Sequence, residues 1–333
     1  MALDDWHRQR AELLGRLQQF YGAIPARGAL EVEEYQRREF ATHTEIKLSY
    51  AGEAGERIPA YLLLPRNAPR AKQPGILAAH QCALACDVGK EQVVGKSVDW
   101  PDQAYGLELV REGFVVLAPD ANKVGERYDS SLREPWQTAA MLPEGQEACC
   151  TAPGGSWGPI RWKPVFDVMR GIDLLVQHPL VNPLRIGMIG HSSGAETLLW
   201  SMPLDSRIRT GVISGGGLMG LTGPSVPLAT AQWLSRTLPL PFTDVVRLIA
   251  PRAFFEVIGN EDYLNICDDS LKGADVDARM AAKRAAHEAI GEVYRLHGAR
   301  ERLALYEFDG GHCFPAPARK AAYAWLKRWL GDA

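Results

Sequence analysis

The pentapeptide Gly190-His191-Ser192-Ser193-Gly194 carries the chemistry that the rest of the chain has to serve. It follows an apolar run, Ile186 to Ile189, and leads into the helix-forming AETLLW, an order that predicts strand, sharp turn, helix. Glycines at both ends let the backbone fold tightly beneath Ser192, whose hydroxyl then stands exposed at the head of the helix. The unpaired N–H groups and positive dipole end of that helix favour the negative charge that develops when a serine attacks a carbonyl carbon. The competing reading is an inert glycine-serine turn, which the placement between a strand and a helix disfavours.

A serine hydroxyl is a poor nucleophile at neutral pH until a base takes its proton and a third group orients the base. Two strand ends supply such groups. The run Ala253 to Ile258 leads into Gly259-Asn260-Glu261-Asp262, and Leu303 to Phe308 leads into Asp309-Gly310-Gly311-His312. Parallel strands would bring both ends to the same sheet edge as Ser192. The chain order Ser192, Asp262, His312, with gaps of 70 and 50 residues, is the order described for the α/β-hydrolase sheet. Glu261 and Asp309 are rival acids. His80 and His191 flank the site and are read as shaping its turns, with His191 also kept among the pocket candidates. The other histidines fall in predicted elements away from this edge.

The elements that must position these groups alternate along the chain. Residues 3 to 20 show a rough helical stripe, a helical arm within 1–40, and the Gly/Pro/Ala-rich break at Gly22 to Gly28 ends it. Thr42 to Tyr50 and Ile58 to Leu64, split by AGEAGE, predict an antiparallel hairpin. Gly75 to Ala79 and Phe114 to Ala118 are short apolar strands around a helix at Tyr105 to Glu112, so βαβ alternation begins. Helices are expected at Val165 to Gln177, Ala278 to Arg295 and Ala316 to Leu330, and a strand at Gly211 to Ser214. The expected architecture is one catalytic α/β domain over 41–333, with a mostly parallel central sheet and helices on both faces. Two stretches lack any period, about 128–163 and 216–245, and are expected to be lid insertions, since long loops in compact domains are usually functional.

Composition removes other classes. Of 333 residues, 46% are hydrophobic and 23% charged, with a formal charge of −3, so there is no basic field for nucleic acid or a membrane surface. MALDDWHRQRAELL mixes acids and bases into its apolar residues and reads as neither a secretory signal nor a span, which sets the expectation of a cytoplasmic protein. The six cysteines lack paired C-x-x-C spacing and are read as reduced thiols. No metal set, phosphate loop or dinucleotide fingerprint occurs in the sequence, and no cofactor is expected; the glycines at 215 to 217 lack the spacing such a loop needs.

From about residue 40 onward the chain resembles the α/β-hydrolase superfamily, in particular its dienelactone hydrolase and acetyl xylan esterase-like branch. The stretches that carry the likeness are GHSSG, FDVMRGIDLLVQHPLVNPLRIGMIG, VREGFVVLAPDANKVGER, APRAFFEVIGNEDYLN and DGGHCFP. The resemblance implies Ser192 as nucleophile, His312 as general base and later acid, and Asp262 as the group that orients His312. Dienelactone hydrolases proper carry cysteine at the elbow, so Ser192 points to the esterase members. Ser193 N–H is the expected first oxyanion donor; the second falls in the turn His80-Gln81-Cys82, with Cys82 preferred and Gln81 the alternative. Trp136, Trp157, Trp162 and Trp233, in or beside the insertions, are candidate pocket walls, although packing beneath a lid explains them equally. Arg127 is a further pocket candidate, weighed against a role with Glu126 as an ion pair bracing its loop. Arg161 and Lys163 are weighed as attractors of an acidic substrate. The expected activity is hydrolysis of a small or medium carboxylic ester through an acyl-enzyme. A prolyl oligopeptidase-like peptidase and a non-enzymatic receptor on a hydrolase fold are the alternatives, and a homo-oligomer is left open.

Overall fold

Strands that are buried at every residue, such as Ala253–Gly259, require a sheet covered on both faces. The computed structural model describes residues 2–66, 71–81, 87–128, 162–216, 240–262 and 275–331. Within them lie β1 (Glu33–Glu39), β2 (His43–Ala51), β3 (Arg57–Pro65), β4 (Gln73–Ala79), β5 (Val115–Pro119), β6 (Val181–His191), β7 (Ile208–Ser214), β8 (Ala253–Gly259) and β9 (Leu303–Phe308). They form a nine-stranded sheet in the order β1-β2-β3-β5-β4-β6-β7-β8-β9. The first three strands are an antiparallel meander joined antiparallel to β5, and from β5 onward every neighbour pair is parallel. The carboxyl ends of β4, β6, β7, β8 and β9 therefore share one edge.

Among the described residues seven α-helices cover the sheet: α1 (Leu3–Tyr21), α2 (Tyr105–Arg111), α3 (Trp162–Gln177), α4 (Ser193–Ser201), α5 (Phe242–Ile249), α6 (Val276–Leu296) and α7 (Ala316–Leu330). The period-2 alternation of the strands sorts the core into two clusters. Leu77, Leu117, Met188 and Ile213 pack with α1, α3, α4, α5 and α6. Their chain neighbours Ile76, Val116, Ile189 and Val212 pack with α2 and α7. α1 has Asp4 and Asp5 in its first turn, ends at Gly22, and buries Trp6, Leu13, Leu17 and Tyr21 in the first cluster.

The helix, hairpin and strand expectations hold for the central alternation, and three boundaries change. Glu33–Glu39, expected within the helical arm, is the edge strand β1; all seven of its residues are exposed, so no apolar alternation marks it. The second insertion is shorter than 216–245, because Phe242–Ile249 is a buried helix whose Phe242, Val245 and Val246 enter the core. The first insertion likewise ends before 163, since Trp162 opens α3. Most of both insertions lies outside the described residues, and among the described residues no helix is long and apolar enough to cross a membrane.

The link between α1 and β1 is tied down by one buried cation. The Arg170 guanidinium on α3 donates to the carbonyls of Gly28 at 2.9 Å, Ala29 at 2.7 Å and Ala51 at 2.8 Å, and pairs with Asp173 at 3.0 Å. Replacing Arg170 with alanine leaves three carbonyls short of their donor and Asp173 short of a buried partner. The expected outcome is a loss of about 2–4 kcal/mol in urea unfolding, with faster amide exchange across 22–32 than across β6.

Candidate active site

β6 runs without a break into Ser192, and α4 begins at the next residue. Ser192 holds φ 54° and ψ −119°, a conformation that L-residues avoid. Two hydrogen bonds fix it: Ser192 N–H donates to Ser214 O at 2.9 Å, and Ser192 O accepts from Glu196 N–H at 3.1 Å. The glycines that flank it are required by close approach. A Cβ on Gly190 would lie 2.4 Å from the Gly194 carbonyl, and one on Gly194 would lie 2.3 Å from Ala79 O at the end of β4.

The candidate acid and base, Asp262 and His312, stand in the two loops that follow β8 and β9. Asp262 is buried at 2% exposure, its N–H bonded to Gly259 O at 3.1 Å, and its Oδ2 accepts from His312 Nδ1 at 2.9 Å. With the proton on Nδ1, the lone pair of a neutral imidazole sits on Nε2, the nitrogen a serine proton would go to. The rival acids are placed otherwise: Glu261 is exposed, and Asp309 is exposed and accepts from Asn260 Nδ2 at 2.8 Å. The strand that carries Asp262 is anchored from α6. Arg279 donates to Asp262 O at 3.2 Å, while Lys283 and His287 bond the two oxygens of the fully buried Glu256 at 2.8 and 2.6 Å. Burial pushes the Glu256 carboxyl up, but Lys283 and His287 outweigh it and hold the pKa down to about 2.

Gly215 is a further position at the candidate site, which the sequence disclosed only as part of a glycine run. It has φ 52°, and a Cβ there would lie 2.7 Å from the His191 ring, 3.0 Å from His312 Nδ1 and 3.1 Å from Asp262 Oδ2. A side chain at 215 would thus enter the acid–base pair. No signal in the sequence links Gly215 to residues 47 and 97 positions away.

Two further histidines surround the site, both buried. His191 lies between the His312 ring, 4.7 Å away by centroid, and Phe314, with Nδ1 hydrogen-bonded to Ser214 Oγ at 3.1 Å. Burial, and then the proximity of His312, push its pKa well below the usual 6.5. His80 ties the end of β4 to the end of β5: its Nδ1 donates to Gln81 O at 2.7 Å and its Nε2 accepts from Ala121 N–H at 2.9 Å. Burial lowers its pKa against the pull of Asp120. Both rings are neutral at pH 7, and both shape the turns around Ser192.

The remaining sequence candidates divide by place. Ser193 heads α4, where its N–H has no intrahelical acceptor, and Gln81 is buried beside the close contact of β4 with Gly194. Cys82, Trp136, Trp157, Arg161 and Trp233 lie outside the described residues. Trp162 packs edge-on against Phe166 at 6.0 Å and against the core. Arg127, a pocket candidate from the sequence, is a brace instead: its guanidinium is 4% exposed and bonds Glu56, Asp167 Oδ2 at 2.8 Å, Asp120 O and Asn122 Oδ1. Lys163 is spent on the same two carboxylates, Glu56 and Asp167. Among the described residues no cluster of histidine, cysteine and acidic side chains is arranged to hold a metal ion.

The chain is similar along its length to known proteins. It is 26% identical over 332 residues to a Bacillus subtilis (strain 168) protein named "Putative hydrolase YtaP", covering 96% of this chain and 100% of that one. Among solved structures, a glucuronoyl esterase from Solibacter usitatus superposes with a TM-score of 0.66 at 15% identity, covering 99% of this chain and 94% of the other. Acetyl xylan esterase 1 from Thermoanaerobacterium sp. JW/SL YS485 does so with a TM-score of 0.59 at 13% identity, covering 100% and 99%. No protein-family model matches the chain. At these identities the structural likeness establishes a shared fold.

The buried neutral histidines make a prediction about stability. Their folded pKa values lie below 6.5, so beneath that pH the unfolded chain binds more protons than the native one. Stability from these groups is fully present above pH 6.5 and is lost as the pH falls toward their folded values, at most about 1.4 kcal/mol per pH unit for each group. His191→Phe keeps a ring against Phe314 and removes one titration. Unfolding free energies measured from pH 7.5 to 5 should therefore fall less steeply in His191→Phe than in the parent protein, and parallel curves would exclude this assignment.

Proposed function

We propose that this chain, which has the α/β-hydrolase fold, is a serine carboxylic-ester hydrolase that works through an acyl-enzyme. The observation that carries the reading is the 2.9 Å bond between His312 Nδ1 and the buried Asp262, on the sheet edge where Ser192 occupies its strained turn. Ser192 Oγ attacks the ester carbonyl carbon as its proton passes to His312 Nε2. Asp262 keeps the proton on Nδ1 and stabilises the imidazolium. The tetrahedral oxyanion is held by Ser193 N–H together with a backbone donor of the 81–82 turn, Cys82 or Gln81. Collapse breaks the bond to the alkoxy oxygen, which leaves as alcohol with the proton from His312. Water then attacks the acyl-serine with His312 as base, the acid is released, and Ser192 regains its proton.

For the substrate class we infer a small or medium ester, with acetyl, aryl and sugar esters as the first to assay. Both solved relatives named above are esterases of sugar-derived substrates by their names.

The experiment is a panel of esters graded by acyl length and alcohol, with a short peptide set alongside, assayed on the parent and four variants. Ser192→Ala should cut ester turnover by at least about 10³-fold with an unchanged fold, and a fluorophosphonate should label Ser192 in the parent alone. Asp262→Asn should cost about 10²–10⁴-fold in kcat with little change in KM, because the amide donates where the carboxylate accepted. Glu261→Gln and Asp309→Asn should retain most activity. Peptide cleavage without ester cleavage, or full turnover in Ser192→Ala, refutes the proposal.

A further inference from the structure

The loops that bear Asp262 and His312 leave the sheet side by side, from the register pair Gly259 and Phe308. Their backbones stay laddered for two residues beyond it: Asn260 N–H donates to Phe308 O at 3.0 Å and Glu261 N–H to Gly310 O at 2.9 Å. The approach is tight, since a Cβ on Gly259 would lie 2.4 Å from Gly310 O. At this crossing the Asn260 side chain uses both ends of its amide. Nδ2 donates to Asp309 Oδ1 at 2.8 Å, and Oδ1 accepts from Gly310 N–H at 3.0 Å. Asp262 stands two residues past Asn260, and His312 two residues past Gly310.

We propose that Asn260 is a positioning residue for the reaction, an amide clasp that sets the distance between Asp262 and His312. This rests on the catalytic reading of that pair. The Gly310-Gly311 dipeptide just before His312 is the softest backbone in the loop, because glycine restricts neither φ nor ψ. The acid-bearing loop pins it from both sides. Glu261 N–H holds the Gly310 carbonyl and Asn260 Oδ1 holds the Gly310 N–H, so the glycine that leads to the base is fixed with respect to the acid. The second contact, to Asp309, orients the amide: only an NH₂ facing that carboxylate leaves the carbonyl oxygen facing Gly310 N–H. An aspartate at 260 would still accept from Gly310 but would present an oxygen to the Asp309 carboxylate. Asparagine meets both demands at that reach. A displacement of about 1 Å between reacting groups costs on the order of 10²-fold in rate, so a loop of two glycines needs such a restraint.

The test is hydrolysis of p-nitrophenyl acetate, with kcat and KM measured separately for Asn260→Asp, Asn260→Ala, Asp309→Asn and the double exchange Asn260→Asp with Asp309→Asn. Asn260→Asp and Asn260→Ala should lower kcat by about 10–100-fold with KM within about 3-fold of the parent. Asp309→Asn should stay within about 3-fold of the parent, because the new side-chain oxygen still accepts from Asn260. The double exchange reverses the donor and acceptor of the clasp and should return kcat to within about 3-fold of the parent. A parent-like kcat in Asn260→Asp, or a double exchange no faster than Asn260→Asp, overturns the proposal. Should Asn260→Asp fail to fold, Asn260→Ala carries the decision, since it introduces no repulsion, and an unchanged kcat there overturns the proposal equally. Asp262→Asn run in the same assay separates the two readings. Activity retained in Asp262→Asn removes the catalytic reading, whereas an inactive Asp262→Asn beside parent-like Asn260 variants removes the clasp alone.

Discussion

The backbone of Ser192 is the constraint on which the surrounding structure depends. A non-glycine residue at φ 54° and ψ −119° costs about 1–3 kcal/mol and persists only where its neighbours overdetermine it. Here the neighbours are the ends of three parallel strands. β6 delivers the serine, β7 receives its N–H at Ser214, and β4 presses its last carbonyl against Gly194. Each contact needs a bare backbone at the place where it is made, which accounts for glycine at 190 and 194. The turn is stable because the sheet is deep in hydrophobic contacts on both faces, not because the turn favours itself.

The same geometry orders the electrostatics. Parallel strands in the order β6, β7, β8, β9 put Ser192, the bare Gly215, Asp262 and His312 along one edge. Gly215 lies at the end of β7, and its missing side chain lets His312 and Asp262 come within hydrogen-bond distance of each other over the top of the strand. The histidines around them, His80 and His191, are kept uncharged by burial, while His312 is bonded to the Asp262 carboxyl group. Among the described residues, the neighbouring ring of His191 then adds no competing cation beside His312.

What the sequence disclosed and what it hid follow from how far each constraint reaches. The elbow was legible because its sterics are local: the five residues that must fold tightly are consecutive. The meeting of Asp262 and His312 was legible from strand ends, since a buried parallel strand reads as an unbroken apolar run and the residues just past it are placed by the ladder. β1 was hidden because a strand exposed at every residue has no hydrophobic period. Helix α5 was hidden by the proline-rich stretch before it, which suggested that the insertion ran on through Val245. Arg127 and Gly215 were hidden for a different reason. The carboxylates that hold Arg127, and the Asp262–His312 pair beside Gly215, lie 40 to 97 residues away, and only the folded chain brings them there.

That distance in sequence also bears on substrate charge. Lys163 looked from the sequence like a cation able to attract an acidic substrate, and Arg127 like either a pocket residue or a brace, but each is matched with the carboxylates of Glu56 and Asp167, two positive groups against two negative. Paired and largely buried, such a cluster stiffens the loop after β5 and projects little field beyond itself. Removing one member would expose an uncompensated charge within the fold, so an effect of Arg127 variants on activity would report the loop's integrity before it reported substrate recognition. Selectivity for an acidic ester, were it found, would have to come from cations other than these two. On the proposed reading, Ser192, His312, Asp262 and their neutral neighbours serve the chemistry at the carbonyl carbon, and Arg127 and Lys163 take no part in it.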